Sequence, residues 1–329
     1  MEEWEIVFWD VGQGDATTIK FPDGSYALID CGPGLQQGNP LPAWFRRMGN
    51  PKIKFVVVTH SHVDHFGGLT ALCSEDAQPI ESIYMLNDGG LRSNPRTDDL
   101  EILLRSLKSR KDSGKSSLHL VEKAQDLYSD SELRLRIIYP KDISDGVKVP
   151  SDVNKTSMVI LLESVRNPDS NPMIVFGSDA PLKALESTCK GLNPVILTGP
   201  HHGSPHAITP EYRKFFRSGM CPQNIFISVG RRNGYRHPNV KYVKGAACAG
   251  ICVACSQLSV NCDEDRTTDV FEGSALSGVD KPAHSVQCRG AMRVYASSNG
   301  IRFDENQTEF IKTIAELYSE APCKCHSLV

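Results

Sequence analysis

Short apolar runs cut by Gly, Pro and Asp turns open the chain. Glu5–Trp9, Ala16–Phe21 and Tyr26–Ile29 read as three successive strands, joined by Gly-Gln-Gly-Asp and Pro-Asp-Gly. Lys54–Val58 is a fourth apolar strand. It runs into a polar, histidine-rich loop, then Gly67-Gly68 and a helical Leu69–Cys73. Strands are predicted at Ile80–Leu86, Leu118–Val121 and Leu133–Tyr139, with a helix near Asp98–Lys108 and an exposed stretch at Lys108–Ser117. A second series follows: strand Ser157–Glu163, turn Asn167–Asn171, strand Met173–Phe176, helix Pro181–Thr188, strand Val195–Leu197, helix Pro210–Arg217 and strand Asn224–Val229. Strands alternate with helices, and each half sends a strand into a His/Asp-rich turn, so a layered α/β sandwich with a site between two halves is expected. From Cys248 to Ala283 the periodicity fails. A closing hairpin, Arg293–Ala296 with Ile301–Phe303, and an amphipathic helix, Thr308–Tyr318, complete the chain.

The 329 residues allow one large domain or two smaller ones, and 40% hydrophobic with 23% charged residues excludes disordered and collagen-like classes. No apolar run approaches the ~18 residues of a spanning helix, so no membrane association is expected. The acidic start, Glu2-Glu3-Trp4-Glu5, lacks the basic and apolar regions of a secretory signal. Eleven cysteines, crowded after Cys248, fit reduced thiols with some metal binding better than a disulfide framework, and the expected location is cytoplasmic. A net charge of −3 argues against coating nucleic acid through a global positive field.

The chemistry concentrates in His60-Ser-His62-Val-Asp64-His65, three imidazoles and a carboxylate in six residues at the end of a buried strand. Borderline metals such as zinc take this nitrogen and oxygen mixture. Four ligands on so short a loop do not all reach one ion. The spacing therefore points to two ions, with His60 and His62 on one and Asp64 and His65 on the other, as in two-metal hydrolases.

His-x-His-x-Asp-His followed by Gly-Gly resembles the signature of the metallo-β-lactamase fold. Asp10-Val-Gly-Gln-Gly-Asp15, Leu28-Ile-Asp-Cys-Gly32, Gly177-Ser-Asp-Ala180, His201-His-Gly-Ser204 and Asn233-Gly-Tyr-Arg-His-Pro238 resemble the ordered motifs of its ComEC-type branch, over residues 5–240. That branch takes its name from the hydrolase domain of a bacterial DNA-uptake channel and is also similar to phosphorylcholine esterases. The resemblance implies an αββα sandwich of two mixed sheets flanked by helices. Together with the lost periodicity and the cysteine spacing after it, this divides the chain into an expected hydrolase core at 1–245, a small zinc-stapled Cys-rich insert at 246–290, and closing strands with a C-terminal helix at 291–329. The resemblance also implies two active-site divalent ions, Zn2+ or Mn2+.

Asp179 falls where the family's metal-bridging aspartate lies; on local grounds it reads equally as a helix cap before Pro181. One of His201 and His202, with preference for His202, would be the last ligand and the other would face substrate. Asp30 would orient the metal loop through hydrogen bonds, although a strand-ending turn aspartate reads the same way. The wider superfamily's third histidine on the first ion is missing, since His119 sits in a predicted strand as a structural residue. Asn154-Lys-Thr-Ser157 stands in its place, leaving the first ion short of protein ligands and arguing against lactam hydrolysis. The segment Arg231–Lys244 holds five Lys/Arg and no acid. There Arg232, Asn233, Tyr235, Arg236 and His237 are expected to contact substrate, with guanidinium forks on a phosphodiester. The expected reaction is phosphodiester hydrolysis of nucleic acid or a small oligonucleotide, with Asp64, Asp179 and His237 catalytic. Cys255, Cys262, His284 and Cys288 are expected to close a structural zinc site, with Cys248, Cys252, Cys323, Cys325 and His326 as further donors. Two alternatives stand beside this reading. One is a module that binds a protein partner through the Cys-rich end; the other is hydrolysis of a phosphocholine-like ester.

Overall fold

The computed structural model describes residues 3–323 apart from 75–76, 94–95, 145–148, 168–169, 205–215, 217–218, 270–272 and 320. The helix expected at Pro210–Arg217, Cys325 and His326 fall outside the described residues. In chain order the first half runs β1 (Trp4–Phe8), β2 (Ala16–Lys20), β3 (Tyr26–Cys31), α1 (Leu41–Arg47), β4 (Ile53–Val58), α2 (Val63–Ser74), β5 (Ile80–Leu86), α3 (Asp98–Asp112) and β6 (Ser117–Val121). The second half runs β7 (Lys123–Ser129), β8 (Leu133–Asp142), β9 (Val159–Ser164), β10 (Ile174–Phe176), α4 (Leu182–Cys189), β11 (Ile196–Thr198), β12 (Asn224–Ile227), α5 (Val240–Ala247) and β13 (Cys252–Cys255). The chain then returns through β14 (Met292–Ser297) and β15 (Gly300–Phe303) to α6 (Thr308–Leu317).

Two mixed sheets result, ordered β15-β14-β1-β2-β3-β4-β5-β6 and β13-β12-β11-β10-β9-β8-β7. Each is antiparallel on one flank and parallel on the other, because β3 to β6 and β10 to β13 are joined by crossovers while the rest are hairpins or returns. One apolar cluster lies between the sheets, including Ile6, Ile19, Phe55, Leu135, Ile160 and Phe176. A second lies under α1, α2 and α3, with Trp44, Phe66 and Leu103, and a third under α4 and α5, with Leu185 and Tyr242. The architecture is therefore the expected αββα sandwich. Phe8 joins the layers, its ring 5.0 Å from that of Phe226 and 6.2 Å from that of Phe176.

Three departures from the sequence reading have local causes. α2 begins at Val63, well before Leu69, so Asp64 and His65 sit in a first helical turn, closed by His65 and Phe66 amides donating to the His62 carbonyl. β7 was invisible to hydrophobic periodicity because most of its side chains are exposed or half-exposed. Within the stretch expected to be an aperiodic insert, Cys252–Cys255 forms β13, an edge strand parallel to β12. Likewise, the C-terminal part of the basic segment is α5, capped by Asn239 Oδ1 accepting from the Lys241 amide at 2.9 Å. No helix among the described residues is long and apolar enough to cross a membrane.

Candidate metal centre

The parallel strands β3 and β4 end side by side, and β10 and β11 end opposite them, so the loops leaving all four strands converge at one edge of the sandwich. Asp30, in left-handed backbone with φ 54°, fixes the first of these loops. Its Oδ1 accepts from the Thr59 amide at 2.8 Å, and its Oδ2 accepts from Thr59 Oγ1 at 2.8 Å and lies 2.8 Å from His65 Nδ1. Asp30 thus aims His65 Nε2 inward, the orienting role expected of it. Ser157 Oγ, 3.3 Å from His60 Nδ1, and the Ser228 carbonyl, 2.9 Å from His202 Nδ1, leave the Nε2 atoms of those two rings facing the site.

Asp179 stands in the middle, 2% exposed. Its Oδ2 lies 3.6 Å from both His60 Nε2 and His201 Nε2, and His60 Nε2 is 3.2 Å from His62 Nδ1. Its Oδ1 lies 3.4 Å from His65 Nε2 and 3.6 Å from His202 Nε2, which is itself 3.4 Å from Asp64 Oδ2. One carboxylate therefore faces two donor sets: His60, His62 and His201 on one side, and Asp64, His65 and His202 on the other. Both histidines of the pair join the cluster, one to each set. His201 thus stands on the side of the cluster where the sequence reading leaves the first ion short of a third histidine. Asn154 Nδ2 lies 3.4 Å from His201 Nε2, and Ser157 Oγ accepts from the Asp179 amide at 3.3 Å, so both support the ligands.

A divalent ion fits this donor set. His65 Nε2, His202 Nε2 and Asp179 Oδ1 are buried without a hydrogen-bond partner and converge on one place, which a cation would satisfy. The electrostatics agree. Burial disfavours charge on His65, but Asp179, Asp30 and Asp64 outweigh it and hold the ring well above its ordinary pKa. Burial likewise opposes protonation of His202, yet Asp179, Asp15 and Asp64 raise it to about 9. Burial opposes ionisation of Asp179, and the surrounding imidazoles, His65 and His202 foremost, reverse this and hold it well below the usual carboxylate range. His60 and His201, where burial prevails, are pushed down.

Two residues without an assigned role in the sequence reading belong here. Asp15 Oδ1 lies 3.5 Å from His202 Nδ1, and burial raises its pKa to about 6 against the pull of His202 and His65. Asp15 and Asp179 together with His202 form a further potential donor group. Its signal was present in Asp10-Val-Gly-Gln-Gly-Asp15, where Gly14 permits close approach: a Cβ there would lie 2.3 Å from the Asp64 carbonyl oxygen. Asp88, fully buried, accepts from the Ser61 amide at 2.7 Å and Ser61 Oγ at 2.8 Å, bracing the residue between His60 and His62. Asp88→Ala is expected to weaken metal binding by about 10–100-fold, as loss of such a brace does. Competition against a chromogenic chelator measures this, and unchanged affinity would contradict the bracing role.

The basic segment divides. Arg232, Tyr235 and Arg236 are exposed at the rim, Tyr235 at 74%. The Tyr235 ring stacks on that of His237 at 5.4 Å and 14°, and His237 stands 5.9 Å from the His201 ring and 6.4 Å from that of His202. Asn233, expected to contact substrate, instead holds the loop: Nδ2 donates to the Gly230 and His237 carbonyls at 2.6 and 3.0 Å, and Oδ1 accepts from the His237 amide at 2.7 Å. Arg231 is buried and donates to the Leu258 carbonyl at 2.9 Å, so it is no phosphate clamp. His119 lies in β6, stacked on Tyr84 at 4.7 Å, away from the donors.

Residues 9–87 match the model of the metallo-beta-lactamase superfamily. Those residues span β2 to β5 and carry His60, His62, Asp64 and His65. Among solved structures the chain is similar to unliganded yeast PDE1 (11% identity, TM-score 0.45, 79% of this chain and 98% of that one). It is similar to Igni18, a metallo hydrolase of the archaeon Ignicoccus hospitalis (13%, 0.42, 76% and 94%). It also resembles a metallo-β-lactamase from Hirschia baltica (18%, 0.29, 54% and 66%). No curated protein matches it in sequence.

Proposed function

We propose that the protein hydrolyses phosphodiester bonds, in nucleic acid or a small oligonucleotide, with two divalent ions, Zn2+ or Mn2+. The observation that carries this reading is the division of the donors around the two oxygens of Asp179, beside a rim with exposed arginines and an exposed aromatic ring. Two ions held there would supply Lewis acidity and an activated water, the chemistry that neutralises charge in phosphoryl displacement. The chain's own residues do the rest. Arg232 and Arg236 present guanidinium forks that match phosphate oxygens. Tyr235 offers a face on which a base stacks. His237, beneath Tyr235 and beside the His201/His202 pair, is placed to hand a proton to a leaving oxygen. Asp64, whose Oδ2 lies 3.4 Å from His202 Nε2, combines a ligand's position with that of a proton acceptor.

The test offers metal-depleted protein, refilled with zinc or manganese, end-labelled single-stranded DNA beside small cyclic and linear oligonucleotides. Cleavage that depends on refilling supports the proposal, and silence on every diester with both ions bound overturns it. On the preferred substrate, Tyr235→Ala is expected to raise KM with little change in kcat. A stacked base contributes about 1–3 kcal/mol, or roughly 5–150-fold. An unchanged KM would remove the stacking role.

A further inference from the structure

Outside the His/Asp centre, four free cysteines meet at one place. Cys255, Cys262, Cys288 and Cys323 together line a cavity of about 20 Å³ beside Pro238 and Val243. Three of them, Cys262, Cys288 and Cys323, also line an adjoining cavity with Leu258 and Ile314. They arrive from four parts of the chain: the last residue of β13, the turn after it, the segment before β14, and the residues after α6. We propose that these four cysteines hold one zinc ion in a closed, structural four-thiolate site.

His284, expected as the fourth ligand, is exposed and does not line the cavity; Cys323 takes its place. Free thiols are poor hydrogen-bond partners for one another, and Cys255, Cys288 and Cys323 otherwise only pack with the apolar cluster under α4 and α5. Burial pushes Cys262 up to about 12 and Cys288 up to about 11, with neighbouring thiols adding to the effect, so without a cation these two stay protonated. A bound zinc reverses this, since a coordinating thiol loses its proton outright. Four sulfurs select zinc over manganese, which prefers oxygen. The surplus negative charge of four thiolates on one dication has counter-charge nearby, because the buried guanidiniums of Arg231 and Arg289 act electrostatically on these thiols. The sulfurs are more widely set than the His/Asp donors, no three lying within 4.8 Å of one another, so this site closes around its ion.

The placement indicates what such a staple does. Among the described residues of 256–290 the one element of sheet structure is an isolated bridge, Gln257 to Gln287, and the site would tie both ends of this segment to β13 and to the end of α6. Asn261, adjacent to Cys262, donates to the Pro238 carbonyl at 3.0 Å. The loop carrying Tyr235 and His237 therefore hangs on the same staple.

Zinc-to-protein stoichiometry of the full chain, compared with that of Cys262→Ser and Cys288→Ser, tests the proposal, together with cobalt substitution. The expected result is one metal equivalent more in the parent than in either variant, and a sulfur-to-cobalt charge-transfer band that persists in His60→Ala but disappears in Cys288→Ser. Should the cysteine variants fail to fold, thiol titration of the native parent decides: four additional thiols become reactive only after chelation. The proposal is overturned if cobalt-loaded parent protein shows no sulfur charge-transfer band, if these four thiols react freely in the metal-loaded protein, or if they are found paired as disulfides.

Discussion

Asp179→Asn is expected to abolish hydrolysis, with kcat down by about three powers of ten or more. Lewis-acid stabilisation by metal ions contributes several kcal/mol to a displacement, and each 1.36 kcal/mol is about tenfold in rate. The substitution keeps the side chain's shape and removes the anion that faces both donor sets, Oδ2 toward His60 and His201, Oδ1 toward His65 and His202. With the negative charge gone, the buried imidazoles of His60, His65 and His202 and two ions would share one region with too little compensation. Metal content should fall together with activity. Single-turnover kinetics and metal analysis of the refilled variant provide the check, and full activity with an unchanged metal complement would refute the bridging assignment.

The second large effect is expected at Gly68. A Cβ built there would lie 2.1 Å from the Cys31 carbonyl oxygen and 2.7 Å from Asn39 Nδ2, where α2 crosses the end of β3. Neither neighbour yields cheaply: Cys31 belongs to a buried strand, and the Asn39 amide already donates to the Cys31 and Pro33 carbonyls, both at 2.7 Å. Gly68→Ala should therefore cost about 3 kcal/mol, the upper part of the overpacking range. It should also displace Asp64 and His65, one turn earlier in the helix. Urea unfolding of metal-free protein measures the first effect. Gly234→Ala, with open space around its Cβ position and no left-handed φ, is the control expected to stay within about 0.5 kcal/mol. Equal stability of the two variants would show that α2 can slide.

The reason for the Gly-Gly pair lies in this packing, and it marks how far a linear reading reaches. The donors from His60 to His65 are neighbours in the chain, so residue types and a preceding buried strand were enough to expose them. The opposing half is joined to them only by folding: Thr59 and Ser178, 119 positions apart, share a 2.6 Å hydrogen bond, and no local pattern foretells it. For the same reason the sequence left open which of His201 and His202 faces the cluster, whereas the fold sets them against opposite oxygens of Asp179. Asn233 shows a different limit. Its residue type suits a substrate contact, but three hydrogen bonds inside its own loop take both its donors and one acceptor site, and engagement of that kind is a property of coordinates. β7 and β13 were missed because one presents a mostly exposed face and the other is a four-residue edge strand amid small residues.

Several residues at the metal centre share an unusual backbone. Asp30, Ser178, His201 and His202 all have φ between 43° and 54°, the left-handed region that costs a side-chain-bearing residue of order 1–3 kcal/mol. They sit where β3, β10 and β11 release their loops, and hydrogen bonds such as that from the His201 amide to the Ser178 carbonyl, at 2.8 Å, hold them there. Glycine at Ser178 would relax this strain but would also remove the 2.6 Å hydrogen bond by which Ser178 ties itself to Thr59 across the sandwich. One side chain therefore carries both a strained backbone and a cross-link between the halves, and the strain cannot be relieved there without cutting the link.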